Sequence, residues 1–141
     1  MSDISETRLK FLDGYKFNTH FDMEGIQGLV VDEEKPIGEG TGPNPHRLLS
    51  VAVGHCLSSS LLFCLRKMRV EVNGLEAIIR TEVKRNSEGR LRVKMMDVQL
   101  RLNVNDRDRA RITRCREIFE NFCTVTQSVR NGIEVNVNVA E

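Results

Sequence analysis

Tryptophan is absent from this 141-residue chain, and aromatic residues make up only 5% of it, so any core must be aliphatic. Neither sign of charge is in excess, with 21 basic against 20 acidic residues. That balance excludes a nucleic-acid protein held by a general basic surplus. The one basic crowding, residues 101–116, is interleaved with acids and reads as a solvated helix face. The opening MSDISETRLK lacks the apolar stretch of a secretory signal, so the expected location is cytoplasmic. No cysteine pair has the C-x2-4-C spacing of a structural zinc site, and no glycine-rich phosphate loop has its full pattern. No metal, cofactor, nucleic acid or membrane partner is expected.

Charge is also missing from residues 48–65, which contain AVGHCLSSSLLFC with Cys56, Cys64 and His55. Eighteen residues is the lower limit for a membrane span. This run carries a histidine, four serines and a glycine, and no second span follows. A buried helix of a soluble domain is the better reading. Asn44-Pro45 supplies a cap and a first-turn proline, and the helix is expected to run to about residue 69. A helix apolar all round belongs in the middle of something. Its small residues, Ser50, Ala52, Gly54 and Ser58, would let other elements approach closely.

Around it the patterns alternate. Residues 15–21, YKFNTHF, read as a strand, 26–31 as a short apolar run, and the Gly- and Pro-rich 32–44 as a loop. Residues 75–84 and 90–104 form a hairpin about the turn Asn86-Ser87-Glu88-Gly89. The apolar phase slips by one at Met95-Met96, which predicts a β-bulge there. Asn105-Asp106 can cap a helix whose apolar face is Ile112, Cys115, Phe119, Phe122 and Cys123. A second helix over residues 124–130 closes at Asn131-Gly132. Ile133, Val135, Val137 and Val139 alternate with polar residues as a last strand. The whole is a single α+β domain, residues 1–141, with 1–14 as an N-terminal segment of uncertain order.

Four cysteines in a reducing compartment are more often free, catalytic or metal-bound than structural disulfides. Cys56 and Cys64, like Cys115 and Cys123, are eight residues apart, about 12 Å along a helix, so neither pair can bond within its own helix. Cys64 and Cys115 read as inert packing. His55 diverges from Cys56 by about 100° on a helix and is not its base. Cys123 stands where free N–H groups and the helix dipole would favour a thiolate. A low-pKa thiol beside a second thiol suits two-electron peroxide reduction.

GPNPHRLLSVAVGHCLSSSLL resembles the OsmC/Ohr segment in which P-x-x-L-L-x-x-A-x-x-x-C opens the central helix. NFCTVTQSVRNGIEVNVNV is similar to that family's second cysteine motif, and VVDEEKPIGEGTGPNP to the loop of its non-classical members. The resemblance implies an intertwined homodimer, with long central helices packed against mixed-chain β-sheets. It also implies a thiol-dependent organic hydroperoxide reductase, recycled by an external thiol reductant. Carried over by motif, Cys56 is peroxidatic and Cys123 resolving. That reverses the dipole argument, which makes Cys123 the more acidic thiol, and the expectation follows the family. The family's thiolate-holding Arg–Glu pair is missing: His46 occupies the Glu position, and Arg8 is the only Arg before residue 47. Thr124 replaces the usual proline. Glu39 and His46 are the candidates to substitute. These departures give an alternative expectation, a catalytically weak or inactive dimer that binds an apolar or acyl ligand or a protein partner.

Overall fold

The computed structural model describes residues 2–141. The chain divides into two compact units, the first ending at Leu49 and the second starting at Ser50.

In the first unit, β1 (Arg8–Phe11), β2 (Phe17–His20) and β3 (Val30–Val31) form an antiparallel sheet in that order. β2 and β3 fall where the alternation predicts strands. β1 lies in the segment left without an assignment, and it pairs in register from Arg8 with His20 to Phe11 with Phe17. Its side chains are exposed on both faces, so no apolar alternation marked it. The loop after β3 is organised by Asp32, which is buried. The carboxylate accepts the N–H groups of Glu33, Glu39 and Thr41 and the Thr41 hydroxyl. Burial works against this carboxylate, but those bonds outweigh it and hold its pKa below the ordinary value. Asn44 is the predicted cap: its Oδ1 accepts the Arg47 N–H at 3.1 Å, at the start of α1 (Pro45–Lys67).

In the second unit, α1 lies against the hairpin of β4 (Val72–Arg85) and β5 (Leu91–Val104). Gly54 permits the approach: a Cβ there would fall 2.5 Å from the δ-methyl of Ile79 on β4. Ser50 bonds Thr81 across the same contact at 2.6 Å. The phase slip in β5 is a register shift. Glu82 faces Met95 while Val83 faces Val93, so Lys94 is the extra residue, one position before the predicted site. After it, Met96, Val98, Leu100, Leu102 and Val104 are the half-buried positions of an otherwise exposed strand.

Two apolar clusters result. One gathers Leu61, Leu65, Val70, Ile112 and Cys115; the other gathers Val53, Leu57 and Cys123. Leu65 is wholly buried, and burying such a side chain stabilises by about 1.5–3 kcal/mol. The predicted helix from residue 105 is a 3-10 turn (Asp106–Asp108) followed by α2 (Arg109–Ile118). A second 3-10 turn (Phe119–Phe122) leads to α3 (Thr124–Asn131). Asn105 makes no side-chain cap bond; its carbonyl accepts the Asp108 N–H instead. The predicted helical face holds through Ile112, Cys115 and Phe119. The tighter 3-10 turn then swings Phe122 outward, to 71% exposure.

Two expectations are corrected. Cys64 and Cys115 are joined in a disulfide between α1 and α2, with Cα atoms 5.7 Å apart, and are not two separate packing residues. The pairing runs between elements, where spacing along one helix gives no signal. The predicted strand over residues 133–139 is not formed. Its alternation is real, but it has no hydrogen-bonded strand beside it among the described residues, and its valines are exposed. A strand is stable only against a neighbour. Within one chain α1, which has the length and composition to cross a membrane, is buried on one side only. Val53, Leu57, Leu61 and Leu65 face the core, while Val51 and Phe63 are exposed at 65% and 64%.

Candidate active site

Two cysteines remain unbonded, Cys56 and Cys123, and the fold of the second unit brings them together. Cys56 is mid-helix on α1 and half-buried; Cys123 is fully buried. The chain reaches Cys123 out of the 3-10 turn and adopts an extended conformation there, with φ −80° and ψ 99°. That makes Cys123 the cap residue of α3, as the sequence predicts. Its carbonyl accepts the Gln127 N–H at 3.0 Å, the first bond of the helix. The turn before it is tied to α3 twice: Gln127 donates to the Glu120 carbonyl, and Arg130 donates to the Glu120 carboxylate at 3.1 Å.

The free N–H groups at the start of α3 point at both sulfurs. The Val125 N–H donates to Cys56 Sγ at 3.4 Å. The Thr126 N–H serves both sulfurs, and Thr126 Oγ1 lies 3.0 Å from Cys123 Sγ. The two thiols stand close enough for each to shift the other's acidity. Ser60, one helical turn beyond Cys56 on α1, adds its hydroxyl to Cys123.

These contacts separate the two thiols. Burial pushes Cys56 above the ordinary thiol value, and donating to Cys123 beside that sulfur's charge pushes it further, against the two N–H groups. Burial also works to raise Cys123. It is outweighed by the bonds from Cys56 and Thr126 and by the Ser60 hydroxyl, so Cys123 lies below the ordinary value. Of the two, Cys123 is therefore the more acidic thiol and Cys56 the less acidic. The helix-dipole argument makes the same ranking. Thr126, which is buried, and Ser60 were not singled out in the sequence. The i+3 spacing of a hydroxyl after a capping cysteine is the signal that would have found Thr126.

Glu39 and His46 belong to the first unit, and each is engaged there. Glu39 forms an ion pair with Lys16 at 2.5 Å, and the His46 ring bonds the Asn44 amide at 2.9 Å. His55 is exposed on α1. An apolar cleft of about 210 Å³, lined by Leu57, Leu61, Val98, Leu100 and Phe119 with Arg116 and Glu120, shares Leu57, Val98, Leu100 and Phe119 with the apolar cluster around Cys123, although neither free cysteine lines it.

The sequence matches the family model of OsmC-like proteins over residues 38–138. No curated protein matches it. Among solved structures, an OsmC-like protein from Mycoplasma pneumoniae superposes with a TM-score of 0.77 at 12% identity, covering 99% of this chain and 98% of that one. An OsmC-like protein of unknown function from Vibrio cholerae gives 0.74 at 14% identity, covering 91% and 94%. The organic hydroperoxide resistance protein OhrB of Bacillus subtilis gives 0.62 at 18% identity, covering 91% of each chain. At these identities the likeness is one of fold.

Proposed function

The chain belongs to the OsmC-like protein family, and from that premise we propose that it is a thiol-dependent hydroperoxide reductase that works as a homodimer. The observation that carries the reading is the pair of unbonded thiols brought together at the start of α3, one of them bonded by the Val125 N–H and the other the residue that caps the helix. Cys56 is the sulfur that solvent reaches, so it takes the peroxide. Cys123, the more acidic thiol, accepts the Cys56 proton when ionised, and the Val125 and Thr126 N–H groups hold the new Cys56 thiolate. Its sulfur attacks the peroxide: an S–O bond forms, the O–O bond breaks, and the alkoxide takes the proton passed to Cys123. Cys123, again a thiolate, attacks the sulfenic sulfur and expels hydroxide, which is protonated to water. Two thiols and one hydroperoxide thus give a disulfide, an alcohol and water. An external dithiol returns the pair to its starting state. The adjoining apolar cleft suits an organic hydroperoxide better than a small hydrophilic one.

The dimer is supported by surface that one chain leaves uncovered. The alternating valines 135, 137 and 139 are 75–85% exposed, and α1 leaves Val51 and Phe63 open. A segment with alternating apolar residues and no strand beside it, and an uncovered helix face, invite a second copy.

The test is one equivalent of tert-butyl hydroperoxide followed by peptide mass spectrometry. A new bond between Cys56 and Cys123 is expected, and an unchanged free-thiol count would sink the proposal. A second reading is a dimer of the same fold that binds an apolar or acyl ligand without turnover. It is favoured by one observation: the groups that shift Cys56 are a thiol and two backbone N–H groups, none of them cationic. On that reading Cys56→Ser leaves ligand binding intact and no peroxide is consumed by either protein.

A further inference from the structure

The four cysteines form two rungs between the same two segments. Cys56 and Cys64 stand eight residues apart on α1, and Cys115 and Cys123 stand eight apart on the C-terminal segment. Cys64 is bonded to Cys115, and Cys56 faces Cys123. The order is inverted, so α1 and the C-terminal segment run antiparallel past each other. Along α1 the rungs are separated by about 12 Å.

Between Cys115 and Cys123 the chain is held by its own helical turns and by the two bonds between Glu120 and α3, with little of it in the apolar clusters. Of residues 116–122 only Phe119 packs into the apolar clusters, and Phe122 is exposed. The place to which this stretch delivers Cys123 is therefore governed by where its start is anchored. That anchor is the Cys64–Cys115 bond, seated beside Leu61, Leu65, Val70 and Ile112.

We propose that the Cys64–Cys115 disulfide is a positioning cross-link that holds Cys123 against Cys56 and is not spent in turnover. The inference rests on the two-cysteine reading of the preceding section. The two bonds differ in how an external dithiol can open them. An external thiolate meets the Cys64–Cys115 bond at Cys64, which is half-buried, because Cys115 is fully buried. The S–S bond would break with Cys115 leaving as an anion among aliphatic side chains, where no charge is welcome. The reductant would be oxidised to its own disulfide, and Cys115 would then take up a proton. When Cys56 is bonded to Cys123, attack at Cys56 instead releases Cys123, whose thiolate has hydroxyl and N–H donors waiting. The better-stabilised leaving thiolate departs faster. One bond is thus built to cycle and the other to persist.

The experiment uses the full-length protein oxidised with one equivalent of tert-butyl hydroperoxide and then titrated with dithiothreitol, with each disulfide followed by peptide mass spectrometry. The Cys56–Cys123 bond should open at a reductant concentration at least tenfold below that needed for Cys64–Cys115. Simultaneous opening, or Cys64–Cys115 opening first, would overturn the proposal. A second arm compares the wild type with the double variant Cys64→Ala, Cys115→Ala, well below its melting temperature and with tert-butyl hydroperoxide in excess, since sulfinic acid forms only when a second hydroperoxide oxidises the sulfenic acid. The readout is how oxidised Cys56 partitions between disulfide and sulfinic acid. A severalfold rise in sulfinic acid is expected, because Cys123 arrives late; a role in stability alone would leave the partition unmoved. Equal disulfide yield in both proteins would overturn the positioning proposal only. No Cys56–Cys123 bond in either protein would overturn the peroxidase reading beneath it.

Discussion

Cys56 with Cys123 and Cys64 with Cys115 connect the same helix to the same C-terminal segment at matched spacing, yet only the second pair is bonded. The difference lies in what surrounds the sulfurs. Around Cys123 are the Thr126 hydroxyl and N–H, the Ser60 hydroxyl and the Cys56 thiol, all able to donate to an anion. Around Cys115 are Leu61, Leu65, Val70 and Ile112, which cannot. Equal spacing brings two sulfurs within reach; the donors nearby decide whether one can rest as a thiolate. The contrast teaches that reactivity here is a property of the start of α3 more than of the cysteine on the central helix.

The strongest way to break the comparison is Cys56→Ser, which should bring peroxide consumption down to the uncatalysed rate while the Cys64–Cys115 bond still forms. Loss of that bond in the same variant would mean the two rungs are not independent. Next in size is the double variant Cys64→Ala, Cys115→Ala. The bond spans a sequence separation of 51 residues, for which the chain-entropy model gives a loss of about 4 kcal/mol, measurable by urea denaturation. A loss near zero would place the stability of the segment in the apolar cluster alone.

Smaller effects sharpen the polar side. Cys56 is held above the ordinary thiol value by burial first, then by its bond to Cys123 and that sulfur's charge. In Cys123→Ala the last two causes vanish, so the alkylation profile of Cys56 should move to lower pH. Movement to higher pH would reverse the ranking of the two thiols. The smallest shift expected is Thr126→Val, which removes one donor from Cys123 but leaves Cys56 and the Thr126-position N–H in place. Reaction of Cys123 with a small alkylating agent should then begin at higher pH than in the wild type. Because the Cys56 bond outranks the Thr126 hydroxyl in lowering Cys123, Cys56→Ala should shift that onset further than Thr126→Val.

The core helix, the hairpin with its irregularity and the short α3 were all legible in the chain. Each has a local cause: Asn44-Pro45 at one end, a one-residue slip of apolar phase, a Gly132 at φ +76° at the other. Cys123 as the cap of α3 was legible for the same reason. Three features were not. β1 pairs with β2 through backbone groups while its side chains stay exposed, so nothing in its composition announces it. The Cys64–Cys115 bond joins residues on different elements, and no periodicity within either one reports it. Residues 133–139 carried the strongest strand pattern and formed no strand, because a pattern specifies which face is apolar and not what lies beside it.

Local chemistry in the amino-acid order determined the elements, their caps and the two positions where a reactive sulfur could stand. It also determined that one helix would be more apolar than a single small unit can bury, as its exposed Val51 and Phe63 attest. Only the tertiary structure decided which sulfur meets which, and which donors set the acidity of each free thiol. Those outcomes depend on contacts between residues such as Cys56 and Val125, which are 69 positions apart in the chain. A thiol's charge is set by donors within a few ångströms, and the fold alone decides which donors those are.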